Sequence, residues 1–276
     1  MEQYADNNTV HFFDEIPGTI NPIVYANNSS IKTGKNWGEL YSTSEYNGTP
    51  YSSTSSWYTP PSYAANNGNL VYENGALKLG GDNAIPVLEI NQKYRIGDEY
   101  TISITVKGDI TQFGHASTAS ECPIGICAIS GDESNYCSWI GFYRGYLQIY
   151  SYYQGSPKWN TKRETNEDEY DGFASIKIPD TYNNEIMNIQ VSAKRNNDTT
   201  EEKERTEVYI NGNLVADFPS GQASLDYKYL TVGDLRVGRG LKFEGNVYEF
   251  AIYGVYLEKD LIEQHFDAVK QSIPNW

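Results

Sequence analysis

Cysteine, histidine, basic residues and long apolar runs are all scarce in this sequence. There are three cysteines, Cys122, Cys127 and Cys137. A small and odd number of cysteines argues against a disulfide scaffold. Two alternatives stay open for them: buried or free thiols, or one bridge between Cys137 and either Cys122 or Cys127. Zinc would need a fourth ligand, and the nearest histidine in sequence is His115. No run of about 18 apolar residues is present, so we expect no membrane insertion.

The shortage of basic residues gives the chain a strongly acidic balance. Its 21 Lys and Arg face 36 Asp and Glu, for a formal net charge of −15 at pH 7. Such a surface repels phosphate backbones and anionic lipids, so nucleic acid and membranes are poor partners. It is compatible with calcium, neutral glycans and basic protein partners.

Aromatic residues, in contrast, are abundant at 14% of the chain, and the patterns around them are mostly those of strands. Residues 101–107 alternate between apolar and polar, which predicts a half-buried strand with a polar outer face. Asn211-Gly212 between two apolar runs predicts a tight hairpin turn. Helical spacing over Leu257–Val269 predicts one C-terminal helix that covers a sheet edge or an end of the fold. We therefore predict an all-β, antiparallel β-sandwich of the jelly-roll type.

A change of composition near residue 69 divides the chain. Residues 70–276 are predicted to form the sandwich, whereas residues 1–69 form a loop-rich N-terminal arm or wrapping segment, rich in Asn, Ser, Thr, Gly and Tyr. The arm either orders against a partner or lies as loops and short strands on the main domain. Its first residues, Met1–Asn8, are polar and acidic, so no secretory signal peptide is visible.

Three ordered motifs carry a family resemblance: YTISITVKGD from Tyr100, VYINGNLV from Val208, and FEGNVYEFAIYGVYLEKDLIEQHF from Phe243. Their succession over about residues 70–272 resembles the laminin G-like branch of the concanavalin A-like lectin/glucanase superfamily. The resemblance implies a sandwich with a short terminal helix, and it says little about the ligand.

The same resemblance implies a calcium site. Related domains hold calcium near the closing strand and after the Gly-Gly turn, positions that correspond here to Glu249, Asp82 and Asn83. Where many relatives carry Asp-Glu, this chain has Tyr248-Glu249, which removes one acidic ligand. The alternative is that Asp82 and Asn83 are solvated turn residues.

Catalysis is not predicted. Glucanases of the superfamily carry spaced carboxylates on one strand face, where one acts as nucleophile and another as acid. The nearest approach here, the acidic run of residues 164–171, lacks flanking β alternation and is interpreted as a solvated loop. The motifs of P-loop, serine-hydrolase and zinc-protease sites are absent from the sequence.

Glycan binding uses aromatic platforms beside amide and hydroxyl groups, and residues 139–159 have that composition. Alternation along β structure predicts that four of these side chains share one sheet face, namely Tyr146, Gln148, Tyr150 and Tyr152. The remaining candidates are Trp139, Tyr143 and Trp159. The alternative is that the tyrosines pack under loops or form a subunit contact.

Two functions follow. The first is a non-catalytic carbohydrate-binding or adhesive module on a phage virion or another extracellular surface, with a glycan or cell-surface polysaccharide as partner. The second is a structural or auxiliary virion protein that uses the sandwich for assembly with other virion proteins or as a homo-oligomer. A glycoside hydrolase is a third hypothesis, which the sequence favours less.

Overall fold

The structure of the chain is a computed structural model, and it describes residues 4–6, 9–11, 24–27, 71–73, 76–80, 87–89, 98–115, 121–130, 136–154, 172–195, 204–221, 229–234, 242–253, 255–273 and 276. The described elements are, in chain order, β1 (Tyr4–Asp6), β2 (Thr9–His11), β3 (Val24–Asn27), β4 (Val71–Glu73), β5 (Ala76–Leu79), β6 (Val87–Glu89), β7 (Glu99–Gly108), β8 (Gly114–His115), β9 (Glu121–Cys122), β10 (Ile124–Ser130), β11 (Tyr136–Tyr143), β12 (Tyr146–Gln154), β13 (Phe173–Lys177), a 3₁₀ turn (Asp180–Tyr182), β14 (Ile186–Lys194), β15 (Arg205–Ile210), β16 (Asn213–Pro219), β17 (Tyr229–Val232), β18 (Gly245–Tyr253) and α1 (Lys259–Ser272).

Two antiparallel sheets contain most of these strands. The larger runs in the order β16-β15-β14-β7-β18-β5-β4, and β3 also pairs with β18. The smaller runs in the order β13-β12-β11-β10-β17-β6. The pairs β1-β2 and β8-β9 form separate two-stranded ribbons. The prediction of an all-β antiparallel sandwich with a short C-terminal helix is confirmed.

The core lies between the two sheets because the strands alternate as the sequence predicts. Ile102, Ile104 and Val106 of β7 are buried in one apolar cluster with Leu147 and Ile149 of β12. The cluster also contains the free thiol of Cys127. Burial raises the pKa of this thiol far above its ordinary value. Since Cys127 is a free thiol, it forms no bridge with Cys137.

One residue of β18 departs from simple alternation. The sequence predicts that Tyr248 shares a face with Phe250, and that Val247 shares the other face with Glu249. In the structure Val247 pairs with Val106 and Glu249 with Thr105, so Tyr248 is an extra residue without a counterpart on β7. This β-bulge moves Val247 to the core face, beside Phe250, and corrects the predicted alternation.

The polar face of β7 is buried, which corrects the expectation that it faces water. Helix α1 and the residues before it lie across this face, instead of covering a sheet edge or an end of the sandwich. Gln190 Nε2 donates to the Ile262 carbonyl at 3.2 Å, and Ser192 Oγ donates to the Leu257 carbonyl at 3.0 Å. We call the buried side chains between α1 and the sheet the helix–sheet polar layer: Thr101, Ser103, Thr105, Asn188, Gln190, Ser192, Glu249 and His265.

Part of the predicted N-terminal arm belongs to the larger sheet. β3 pairs with β18 from Asn27, opposite Glu249, to Val24, opposite Ile252. For these four residues the pairing favours the alternative in which short strands lie on the main domain. The domain boundary at residue 69 stays a prediction. Among the described residues, no helix has the length and apolar character needed to cross a membrane.

Candidate functional site

The predicted glycan-binding residues other than Trp159 lie on the hairpin of β11 and β12, next to β13. The strand register places three rows of side chains on the outer face of the smaller sheet. Leu147 and Ile149 alternate with these rows and point into the core. From the hairpin turn inward, the rows are Tyr143, Tyr146 and Lys177; then Gly141, Gln148 and Ser175; then Trp139, Tyr150 and Phe173.

The row farthest from the turn is buried against the protein itself. Trp139 is 2% exposed and Tyr150 is 5% exposed. Their rings stack with centroids 4.3 Å apart, and the Phe173 ring lies 4.6 Å from that of Tyr150. A sugar would need the ring surfaces that these contacts use. Gln148, in the middle row, is also buried.

The row at the turn is more open. Tyr143 and Tyr146 are half-buried, and the two turn residues between them are Arg144 and Gly145. Both turn residues have a positive φ, 50° for Arg144 and 82° for Gly145. This is the conformation of the two-residue hairpin turn that favours Asn-Gly, and a residue with a Cβ adopts it at a cost.

Two cations lie on aromatic rings at this turn. The Arg144 guanidinium is 4.6 Å from the centroid of the Phe113 ring, and the Lys177 ammonium is 5.1 Å from that of Tyr146. A Cβ on Gly145 would lie 2.8 Å from Lys177 Nζ, so the glycine provides the space that the ammonium occupies. We call Phe113, Tyr143, Arg144, Tyr146 and Lys177 the aromatic turn site.

Backbone hydrogen bonds fix the aromatic turn site from both sides. Gly145 N donates to the Ile110 carbonyl at 2.9 Å, and Ile178 N donates to the Gly145 carbonyl at 3.0 Å. Gln112, which precedes Phe113, donates its amide to the Glu244 carbonyl at 2.8 Å and accepts from Glu244 N at 2.9 Å. The turn is therefore bonded to two other chain segments, one of which Gln112 joins to Glu244, and a ligand that binds there pays little to order it.

Glu249, the predicted calcium ligand of the closing strand, is engaged inside the helix–sheet polar layer. Its Oε1 accepts from His265 Nε2 at 3.2 Å, and its Oε2 accepts from Thr105 at 3.1 Å and Ser103 at 3.3 Å. The Tyr253 hydroxyl lies 2.8 Å from His265 Nδ1. Both carboxylate oxygens are thus occupied by protein donors. Within the described ranges, no three His, Cys, Asp or Glu side chains are grouped as metal ligands.

For four predicted site residues the structure describes no side chain. Trp159, Asp82 and Asn83 lie outside the described residues, and for Tyr152 the structure describes the backbone in β12 but not the side chain. Glycan binding by Tyr152 and Trp159, and calcium binding by Asp82 and Asn83, stay predictions.

Three members of the aromatic turn site were not among the predicted residues. Arg144 had a local signal, since an Arg-Gly pair closes a hairpin where Asn-Gly is usual. Phe113 and Lys177 had none. They lie about 30 residues from the turn on either side, and only the folded sheet brings them to it.

Comparison with known proteins identifies the fold but no family: neither a protein-family model nor a curated protein matches the chain significantly. The binding domain of botulinum neurotoxin DC, solved in complex with SialylT, is 13% identical with a TM-score of 0.52, over 74% of this chain and 45% of that chain. The same domain in complex with rat synaptotagmin II is 13% identical with a TM-score of 0.48, over 72% and 44%.

A third similar structure is domain 4 of AbnA, an extracellular arabinanase from Geobacillus stearothermophilus, in complex with arabinotriose. It is 16% identical with a TM-score of 0.47, over 73% of this chain and 83% of that chain. At such identities the likeness shows a shared β-sandwich fold and nothing finer. This conclusion rests on the first structure, whose TM-score is 0.52. The chain spans less than half the length of the neurotoxin domains that it matches.

Proposed function

We propose that this protein is a non-catalytic carbohydrate-binding module and that the aromatic turn site is where the sugar binds. The observation that carries the proposal is a large exposed ring, Phe113 at 40% exposure, in contact with Arg144 of a turn that the half-buried Tyr143 and Tyr146 flank. Sugar rings stack their C–H faces on aromatic rings, while hydroxyl and amide groups fix their orientation. The likeness in fold to a binding domain solved in complex with SialylT is consistent with this role.

The setting is part of the same proposal. We place the protein on a phage virion or another extracellular surface, where an adhesive module meets cell-surface polysaccharide, and we keep the laminin G-like branch as its sequence relationship. These points rest on the sequence motifs and composition.

A glycan array probed with the full-length chain tests the proposal. We expect binding to at least one glycan, and we expect Phe113→Ala and Tyr146→Ala each to weaken it about tenfold, or about 1.4 kcal/mol. Leu214→Ala, which removes another exposed apolar side chain (48% exposed) on β16, is the matched control and should leave binding unchanged. The proposal fails if no glycan binds, or if Leu214→Ala weakens binding as much as Phe113→Ala does.

A second candidate, a structural assembly protein, has one observation in its favour. Leu214 and Val215, 48% and 38% exposed, lie side by side on β16, which ends the order of the larger sheet. Exposed apolar residues on an edge strand are a common site of protein contact. Light scattering of the full-length chain tests this. A defined oligomer that Leu214→Asp dissociates supports assembly, and a monomer at all concentrations contradicts it.

A further inference from the structure

We infer that the aromatic turn site selects acidic glycans, and that Arg144 and Lys177 together bind a sugar carboxylate. The inference rests on the proposed function and names its ligand class. It differs from what the net charge of −15 suggests, since an acidic surface by itself disfavours anionic ligands.

The first argument is the position of the two cations. Arg144 is part of the turn, and Lys177 Nζ, from the end of β13, occupies the space above Gly145, the neighbour of Arg144 in the chain. Each cation lies on a ring of the site, at 4.6 Å from Phe113 and 5.1 Å from Tyr146. A pyranose carboxylate that reached the turn would meet two positive charges and two aromatic rings together.

The second argument is the cost of having arginine in the turn. The hairpin of β15 and β16 has the same turn geometry, with φ of 50° at Asn211 and 74° at Gly212, and it uses the preferred Asn-Gly pair. At residue 144 the chain places arginine in the left-handed conformation, where asparagine is favoured. Local strain that a better residue would relieve points to a use for the side chain.

The third argument concerns Asp180, an acid that pairs with Lys177. Asp180 lies 3.9 Å from Lys177, but the side chains are 92% and 57% exposed, so this pair is weak and exchanges with solvent. A guanidinium binds a carboxylate through two parallel hydrogen bonds, which is stronger and more directional than a long surface ion pair. Acidic residues that lie more than about 8 Å from the two cations are largely screened at about 0.15 M salt.

Binding of the full-length protein to immobilised polysaccharides at about 0.15 M salt tests the inference. The probes are polygalacturonate and alginate, which carry carboxylates, dextran, which is neutral, and dextran sulfate. We expect a uronic-acid polymer to bind at least about tenfold more tightly than dextran, a difference of about 1.4 kcal/mol. Arg144→Asn and Lys177→Gln should each remove most of that preference.

The variants separate loss of binding from loss of folding. Arg144→Asn installs the residue that the turn prefers, so its melting temperature should equal or exceed that of the wild type. The matched control is Lys194→Gln, which removes another lysine that lies over a tyrosine, Tyr256, at 4.6 Å. In the strand register Lys194 lies opposite Glu99, the first residue of β7. The last residue of β7, Gly108, which precedes the Ile110 and Phe113 segment of the aromatic turn site, is about 30 Å away along the strand. The Lys194→Gln variant should bind like the wild type.

Each contrary result has a distinct meaning. Equal binding to dextran and to the uronic-acid polymers, or full retention of the preference in Arg144→Asn, overturns the inference and leaves the proposed function standing. A preference for dextran sulfate over both uronic-acid polymers overturns the assignment of a carboxylate. Failure of every polysaccharide and of the glycan array overturns the proposed function and the inference together.

Discussion

At the scale of single residues, the hairpin of β11 and β12 separates two kinds of tyrosine. Tyr150 is stacked on Trp139 and in tilted contact with Phe173, whereas Tyr146 lies at the turn beside Lys177. The two residues share a sheet face, as the alternation predicts, yet Tyr146 is half-buried whereas Tyr150 is only 5% exposed. Their substitutions should therefore affect different properties.

Tyr150→Ala should destabilise the fold by about 3–5 kcal/mol, because it leaves a cavity between two aromatic rings. Tyr146→Ala should cost at most about 1 kcal/mol, since this residue is only half-buried. Urea unfolding followed by tryptophan fluorescence measures both values. Equal costs for the two variants would contradict the burial of Tyr150.

Asp180 should act as a competitor of the ligand. Asp180→Asn removes the carboxylate that lies 3.9 Å from Lys177, and its 92% exposed side chain supports little of the fold. We expect affinity for a uronic-acid polymer to rise about two- to fivefold, or about 0.4–1 kcal/mol, the size of an exposed ion pair. Calorimetric titration measures the change, and lower affinity in this variant would show that Asp180 contributes to binding.

At the scale of elements, the helix–sheet polar layer holds α1 to the larger sheet through hydrogen bonds as well as apolar contacts. Asn188 Nδ2 donates to Ser103 at 3.0 Å and to Thr105 at 2.9 Å, and both hydroxyls donate in turn to Glu249. Because every member is buried, loss of one acceptor leaves several donors without a partner.

Glu249→Ala should therefore destabilise the protein by about 3 kcal/mol or more, since His265, Ser103 and Thr105 would each lose an acceptor. The control is Glu263→Ala on the exposed side of α1, where the ion pair with Lys259 at 3.5 Å is worth at most about 0.5 kcal/mol. Guanidinium unfolding with circular dichroism compares them. A cost for Glu249→Ala no greater than that for Glu263→Ala would show that the layer contributes little.

The same elements show how much of the fold could be predicted from the sequence. Alternation in residues 101–107 predicted β7 and its core face correctly, because a strand's side-chain period is a local property. The exposure of its polar face was predicted wrongly, because α1, about 150 residues later, covers it. The bulge at Tyr248 and the approach of Phe113 and Lys177 to Arg144 also depend on pairing between distant segments, which no local pattern records.

At the scale of the whole molecule, buried tyrosines should set the alkaline limit of stability. Burial and the charge of Glu249 raise the pKa of Tyr253 well above its ordinary value, and burial and Glu207 raise that of Tyr209. A group whose pKa is raised on folding contributes stability that is complete below its unfolded pKa, about 10, and is lost as pH rises above it.

We therefore expect the melting temperature to fall progressively above pH of about 10, measured by calorimetry between about pH 8 and 12. Tyr253→Phe removes one contributor and should flatten the decline, although loss of the contact with His265 lowers stability at neutral pH. A decline of unchanged steepness in this variant would show that Tyr253 contributes nothing to the pH dependence of stability.

The polar layer under α1 also bears on how the chain folds. Helix α1 follows β18 in the chain, so the larger sheet can pair before its cover has docked. The face that waits uncovered carries hydroxyl, amide and carboxylate groups, as at Thr101, Gln190 and Glu249, and water solvates these well. A nascent sheet of this kind presents few apolar side chains on that face to neighbouring chains, so aggregation is resisted during the interval before the helix docks.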